Sequence, residues 1–171
     1  MSDLDFEIEG FTFKSIDPYD FVVDSAVIPL FNKHKNILMD DYWDGKDESF
    51  RDLIKLVSPY FFVIFNPTGK FIGYIFLSDW RAGGTTCAFH IVIDDKYQGK
   101  DVKTCASKTA DKLFEKFKLR RIDCTIPIYN KKVRAFAEYV LKAEFEGVQK
   151  ARSIKNGKPL DYLMYAIVKG E

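Results

Sequence analysis

The chain has 171 residues, 47% of them hydrophobic and 30% charged, with a formal net charge of +1. Such totals predict a folded core in one domain spanning 1–171. The near-zero charge gives no general attraction to nucleic acid or anionic membrane. Three cysteines, Cys87, Cys105 and Cys124, are odd in number and widely spaced, so neither a disulfide framework nor a metal site is expected. No apolar run reaches membrane-spanning length, and the acidic start Ser2 to Glu9 does not read as a signal peptide. A cytoplasmic protein with reduced thiols is the expectation.

In chain order, Phe6, Ile8, Phe11, Phe13 and Ile16 alternate around Gly10 and predict a first strand, bulged at that glycine. Asp17-Pro18 predicts a helix start, with Asp as cap. Phe21, Val22, Ala26, Leu30 and Phe31 continue that helix, kinked or restarted at Pro29. Met39 to Asp47 is an acidic, aromatic loop. Phe50, Leu53, Ile54 and Val57 make a short amphipathic helix ending before Pro59. Tyr60–Phe65 and Lys70–Leu77 are strands joined by the turn Asn66-Pro67-Thr68-Gly69. Both are apolar on both faces, as central strands of a covered sheet are. Thr86–Ile93 is a third strand. Val102, Cys105, Ala106, Thr109, Leu113, Phe114 and Phe117 fall at helical spacing. Ile122, Cys124 and Ile126 alternate as a strand, and Val133, Phe136, Ala137, Val140 and Leu141 mark a further helix. Phe145–Ser153 and Leu160–Val168 read as a hairpin around Asn156-Gly157. The order β-α-α-β-β-β-α-β-α-β-β is a mixed α/β sheet with helices on both faces. Three consecutive strands should be antiparallel. The unit from Thr86 to Ile126 should be a parallel, right-handed crossover.

The stretch Tyr97-Gln98-Gly99-Lys100-Asp101-Val102-Lys103 lies between a strand and a helix. There a fold can aim free backbone N–H groups at a phosphate. It also carries a carboxylate, Asp101. A carboxylate about 4–6 Å from a phosphate costs roughly 1–4 kcal/mol. Asp101 would equally serve as a helix cap, taking the N–H groups a phosphate wants.

Three local patterns give the chain its resemblance to the GNAT superfamily of acyl-CoA N-acyltransferases, nearest the branch of ribosomal-protein alanine N-acetyltransferases. These are the strand–loop–helix Ala88–Ala110 around Gln98-Gly99-Lys100, Asn130 opening a helix that carries Glu138, and the ending Glu146-Gly147-Val148, Lys155-Asn156-Gly157-Lys158, Asp161-Tyr162. The resemblance implies acetyl-CoA as co-substrate. It places the pyrophosphate on Gln98, Gly99, Lys100, Asp101, Val102 and Lys103. It pairs the pantetheine with the main chain of Ile91, Val92 and Ile93, and puts Asn130 near the thioester. Where the family has small residues this chain has Asp101 and Lys103. Where the family has a Gly-Phe pair it has Leu141-Lys142-Ala143. These departures support the alternative, a GNAT-fold binding or structural module without CoA turnover.

Aminolysis of a thioester needs a neutral amine, a proton acceptor, and a donor for the leaving thiolate. His90, on the strand before the loop, is the titratable candidate of useful range. A core-lining or partly exposed histidine is the competing role. Glu138 and Tyr139 follow Asn130 on its helix, although Tyr139 lies nine residues on where the family spacing is nearer seven. Asp41, Tyr42 and Trp43, in the stretch Asp40 to Glu48 with its five carboxylates, would suit a cationic amine. A solvated loop is the alternative there. The resulting expectation is direct attack by an amine-bearing small molecule or protein N-terminus on acetyl-CoA, with no membrane or nucleic-acid partner and a homodimer left open.

Overall fold

The computed structural model describes residues 3–38, 40–41, 44–97 and 99–170. Two compact units make up the chain. One holds residues 1–39, 43–77 and 90–99, the other 40–42, 78–89 and 100–171. The hydrogen-bonded strand order is β1-β2-β3-β4-β5-β6-β8-β7. Its strands are β1 Phe6–Ile8, β2 Phe11–Ser15, β3 Phe61–Phe65, β4 Phe71–Arg81, β5 Thr86–Ile93, β6 Arg121–Pro127, β7 Glu144–Lys155 and β8 Lys158–Val168. The helices are α1 Ile28–Leu38, α2 Asp47–Val57, α3 Lys100–Phe117 and α4 Lys131–Tyr139. This is the mixed α/β topology expected from the sequence, with one added reversal at the start.

That reversal corrects the expected bulge. Glu9 and Gly10 both take positive φ, 52° and 78°, and two such residues close a tight hairpin. Ile8 therefore pairs directly with Phe11. Asp17 is likewise not a helix cap. Its Oδ1 accepts the Tyr19 N–H at 2.9 Å in a local turn. Pro29 offers no N–H to the preceding turn. The chain runs through a π-helical turn, Val23–Val27, directly into α1.

In the first unit β2, β3 and β4 are antiparallel. Four of the five residues of β3 are buried, so the strand is covered on both sides. One face carries Phe61 and Val63 against α1 and α2, in a cluster with Val27, Phe31, Phe50, Ile54, Tyr74 and Phe76. Phe31 stacks on Phe50 at 3.9 Å, and Phe61 on Phe76 at 5.7 Å. Phe62 meets Phe6 edge-on at 5.4 Å, and Phe6 stacks on Phe13.

In the second unit β5 pairs parallel with β6 over Thr86–Ala88 against Arg121–Asp123. That parallel pairing is the expected crossover, with α3 as its connection. The buried side chains of α3 are Cys105, Ala106, Thr109, Ala110, Leu113 and Phe114, one continuous stripe at helical spacing. Thr109 returns its hydroxyl to the Cys105 carbonyl at 3.1 Å, which satisfies a buried polar group. Asn156 and Gly157, both at positive φ, close the β7–β8 hairpin.

Candidate functional site

Strand β5 ends at Ile93, and Asp94 fixes that end. Its N–H donates to the Ile72 carbonyl at 2.9 Å, and its carboxylate accepts from Lys33 Nζ at 2.8 Å. Burial alone would raise the Asp94 carboxyl, but hydrogen bonds from Lys33 and from the Lys96 backbone hold it below the usual value. No local signal could have found a partner 61 residues away.

Helix α3 opens at Lys100, so its first N–H groups have no acceptor within the helix. Gly99 precedes it, and a β-carbon there would meet nothing within 4 Å. Lys100, Asp101 and Lys103 are exposed and Val102 is half-buried. Asp101 lies inside the first turn rather than ahead of it. Its carboxylate accepts no hydrogen bond from any described residue. The capping role considered for it is therefore not the one the fold uses. Gln98 lies outside the described residues, as do Tyr42 and Trp43.

Ile91, Val92 and Ile93 are half-buried. His90 is exposed and stacks on Phe76, with ring centroids 4.1 Å apart and planes 6° from parallel. The ring is thus held flat against Phe76. A partly exposed histidine packed on the core is the competing role weighed for it, and this geometry is compatible with that role too.

The other candidates are engaged elsewhere. Asn130 caps α4, its Oδ1 accepting the Val133 N–H at 3.2 Å. Glu138 accepts the Tyr165 hydroxyl at 2.5 Å and Arg134 Nε at 2.9 Å. Those two bonds, Tyr165 first, lower its pKa, which makes it a weaker base than an ordinary carboxylate. Tyr139 projects into solvent, 72% exposed. The expected glycine after α4 is replaced by Lys142, yet Lys142 takes φ 57°, the left-handed conformation a glycine usually supplies at a helix end.

Asp41 belongs to a clasp. Its two carboxylate oxygens accept the N–H groups of Asn156 and Gly157, each at 2.8 Å. Its own N–H donates to the Ile154 carbonyl. Asp44 accepts from the Lys46 N–H and the Ser49 hydroxyl, and Asp47 from Asn32. The acidic loop thus spends much of its charge on backbone and neighbouring side chains, which weakens it as a site for a cationic amine.

All three cysteines are buried free thiols. Burial first, then Asp123, pushes Cys87 and Cys124 up to about 12. Neither offers a thiolate near neutral pH. Among the described residues no group of three or more His, Cys, Asp or Glu is placed to hold a metal ion. Among them, too, no helix is long and apolar enough to cross a membrane.

The fold is one shared with solved acetyltransferases, among them an acetyltransferase of the GNAT family from Bacillus anthracis, matched with a TM-score of 0.77 at 18% identity over 96% of this chain and 98% of that one. The chain matches a ribosomal-protein-S5-alanine acetyltransferase from Vibrio fischeri with a TM-score of 0.76 at 20% identity, over 98% of each chain. It matches spermidine N-acetyltransferase from Vibrio cholerae in complex with CoA and spermine with a TM-score of 0.75 at 17% identity, over 94% of this chain and 96% of that one. A ribosomal L7/L12 alpha-N-protein acetyltransferase in complex with coenzyme A gives 0.75 at 17% identity, over 94% and 95%. No family model and no curated relative matches the chain.

Proposed function

We propose that this protein is an acyl-CoA-dependent N-acyltransferase, with acetyl-CoA the simplest donor and an amine the acceptor. The observation that carries this reading is the contiguous stretch 90–103. An exposed histidine stacked on Phe76, a strand end and a helix N-terminus preceded by an unobstructed glycine follow one another there. They do so in a fold shared along almost its whole length with acetyltransferases, two of them in complex with CoA. The likeness to the ribosomal-protein branch extends to the Vibrio fischeri structure, and a protein N-terminus is the acceptor class that branch suggests. Three buried free thiols fit a reducing, cytoplasmic setting.

The chain's residues would divide the work as follows. The N–H groups of the first turn of α3, with Lys100 and Lys103, hold the pyrophosphate. The main chain of Ile91–Ile93 binds the pantetheine amides. The acyl thioester supplies an activated carbonyl when bound. His90 accepts the proton of the attacking amine, directly or through one water. Direct attack is preferred to a covalent relay because burial keeps the Cys87 and Cys124 thiols protonated.

The second reading is a module of this fold that does not turn CoA over. It is favoured by Asp101, whose exposed, unbonded carboxylate stands in the first turn of α3. A thermal shift with acetyl-CoA and desulfo-CoA, followed by calorimetry, separates the two. Stabilisation by both ligands supports the acyltransferase. No shift at millimolar ligand leaves the binding module as the reading.

A further inference from the structure

The start of β6 and the finish of β8 meet at one end of the sheet in the second unit. Arg121 pairs with Val168, and the Lys169 N–H donates to the Arg120 carbonyl at 2.9 Å. On the other side of β6, the Thr85 carbonyl accepts the Arg120 N–H at 2.8 Å and the Arg121 N–H at 3.3 Å. Lys169, Arg120 and Thr85 therefore stand in a row across three neighbouring strand ends, each about 4.8 Å from the next. Leu119 is buried, and Lys118 and Arg120 on either side of it turn outward. Lys118, Arg120 and Lys169 are all exposed, and none makes an ion pair with any described residue. Lys118 also takes φ 54° directly after α3, where a helix most often ends on glycine.

Two carboxylates close to this row are already neutralised. Arg81 and Arg121 hold the buried Asp123, and Arg121 also holds Glu146. The other exposed acids of these strands, Asp79 on β4 and Glu144 on β7, stand outside the row. Two further features border it. Ala82, Gly83 and Gly84 take φ 51°, 67° and 85°. A β-carbon at either glycine would meet nothing within 4 Å, so backbone lies open beside Thr85. Trp80 and Phe117, both half-buried, meet edge-on with ring centroids 6.3 Å apart. That contact joins the chain neighbours of Arg81 and Lys118 into one aromatic pair.

A lysine just after α3 complements the helix dipole and needs no partner to explain it. The dipole does not account for Arg120 and Lys169, which sit at strand ends where little net dipole collects. We propose that this end of the sheet binds a single-stranded nucleic acid. Lys118, Arg120 and Lys169 meet its phosphates, and Trp80 with Phe117 gives a base an apolar surface. A protein partner fits less well, because β5, β6 and β8 are interior strands and offer an extended peptide no free edge. A phosphate needs only cations and accessible backbone. The whole-chain charge of +1 does not oppose this, since salt confines the attraction to charges within about 10 Å. The binding stands independently of acyl transfer.

The test is fluorescence anisotropy with fluorescein-labelled oligo(U) and oligo(dT) of twelve nucleotides, with a poly-glutamate peptide of similar length as control. Both oligonucleotides should bind, and log affinity against log salt should have a slope of about −2, as three neutralised phosphates give. In the Lys118→Ala, Lys169→Ala protein the slope should shrink to about −0.7, and affinity at about 50 mM salt should fall at least roughly tenfold, with circular dichroism unchanged. Should that variant misfold, Arg120→Gln supplies a second arm, with a slope of about −1.4. In the Trp43→Phe protein, whose one remaining tryptophan is Trp80, binding should quench the emission. No binding at about 50 mM salt would overturn the proposal. So would an unchanged slope in both variants, equal binding of poly-glutamate, or full binding with Trp80 unquenched. Displacement by millimolar acetyl-CoA would also overturn it, since the oligonucleotide would then occupy the acyl-CoA loop.

Discussion

Gly73 passes so close to Val92 that a β-carbon at Gly73 would lie 2.2 Å from the Val92 carbonyl oxygen and 2.9 Å from Ile93 Cδ1. The residue is buried within β4, and the atom it would strike is backbone, which cannot rotate away. Gly73→Ala should therefore displace the end of β5. We expect a loss of roughly 3 kcal/mol or more of stability in urea unfolding. If ligand binding uses Ile91–Ile93, acyl-CoA affinity should fall with it. A variant as stable as the parent would show that β4 and β5 can separate at no cost.

Asp101 tests the phosphate cradle. Asp101→Asn removes the charge and nearly keeps the shape. Because the carboxylate is exposed and caps nothing, calorimetry should show CoA binding tightened roughly threefold to tenfold at low salt, with the gain shrinking as salt screens it. Removing an acidic residue from the first turn also weakens the match to the helix dipole, so the melting temperature should drop slightly. Unchanged affinity would place the pyrophosphate elsewhere.

His90 and Glu138 separate chemistry from scaffolding. His90→Gln should lower kcat/KM roughly 100-fold and abolish the acidic limb of its pH profile, with KM for acyl-CoA little changed. Glu138→Ala should do the reverse. It leaves the Tyr165 hydroxyl, in a buried residue, without its acceptor, so the melting temperature should fall while the pH profile of the remaining activity keeps its shape. An altered profile in Glu138→Ala would give that carboxylate a part in proton transfer.

The Asp41 clasp makes a pH-dependent contribution. Hydrogen bonds from the Gly157 and then the Asn156 backbone hold its carboxyl below the usual 3.8. A carboxyl depressed by folding adds stability that is fully present above its unfolded value and disappears as pH falls through its folded value. The difference in melting temperature between the parent and Asp41→Ala should be constant from about pH 5 to 7 and should narrow below the ordinary carboxylate value. A difference that persists unchanged at pH 2.5 would mean that the bonds to the hairpin do not depend on the ionised form.

The order of elements was legible in the chain because each carries its own period. The stripe Cys105, Ala106, Thr109, Leu113 and Phe114 declares α3, and the doubly apolar run of β3 declares a covered strand. Asn156-Gly157 declares its turn. Asn130 as a helix start was equally local. The chain alone thus determined the fold class and the stretch in which a phosphate would be sought. What it could not determine were the partners of its charges. The Lys33–Asp94 pair, the hold of Asp41 on Asn156 and Gly157, and the bond from Tyr165 to Glu138 join residues 61, 115, 116 and 27 apart. Only the tertiary structure decided that His90 lies flat on Phe76, that Asp101 is inside its helix, and that Lys169 joins Arg120 at one end of the sheet. Side-chain periodicity is a property of a few neighbouring residues, whereas electrostatic pairing depends on which distant backbones the fold brings within about 3 Å of each other.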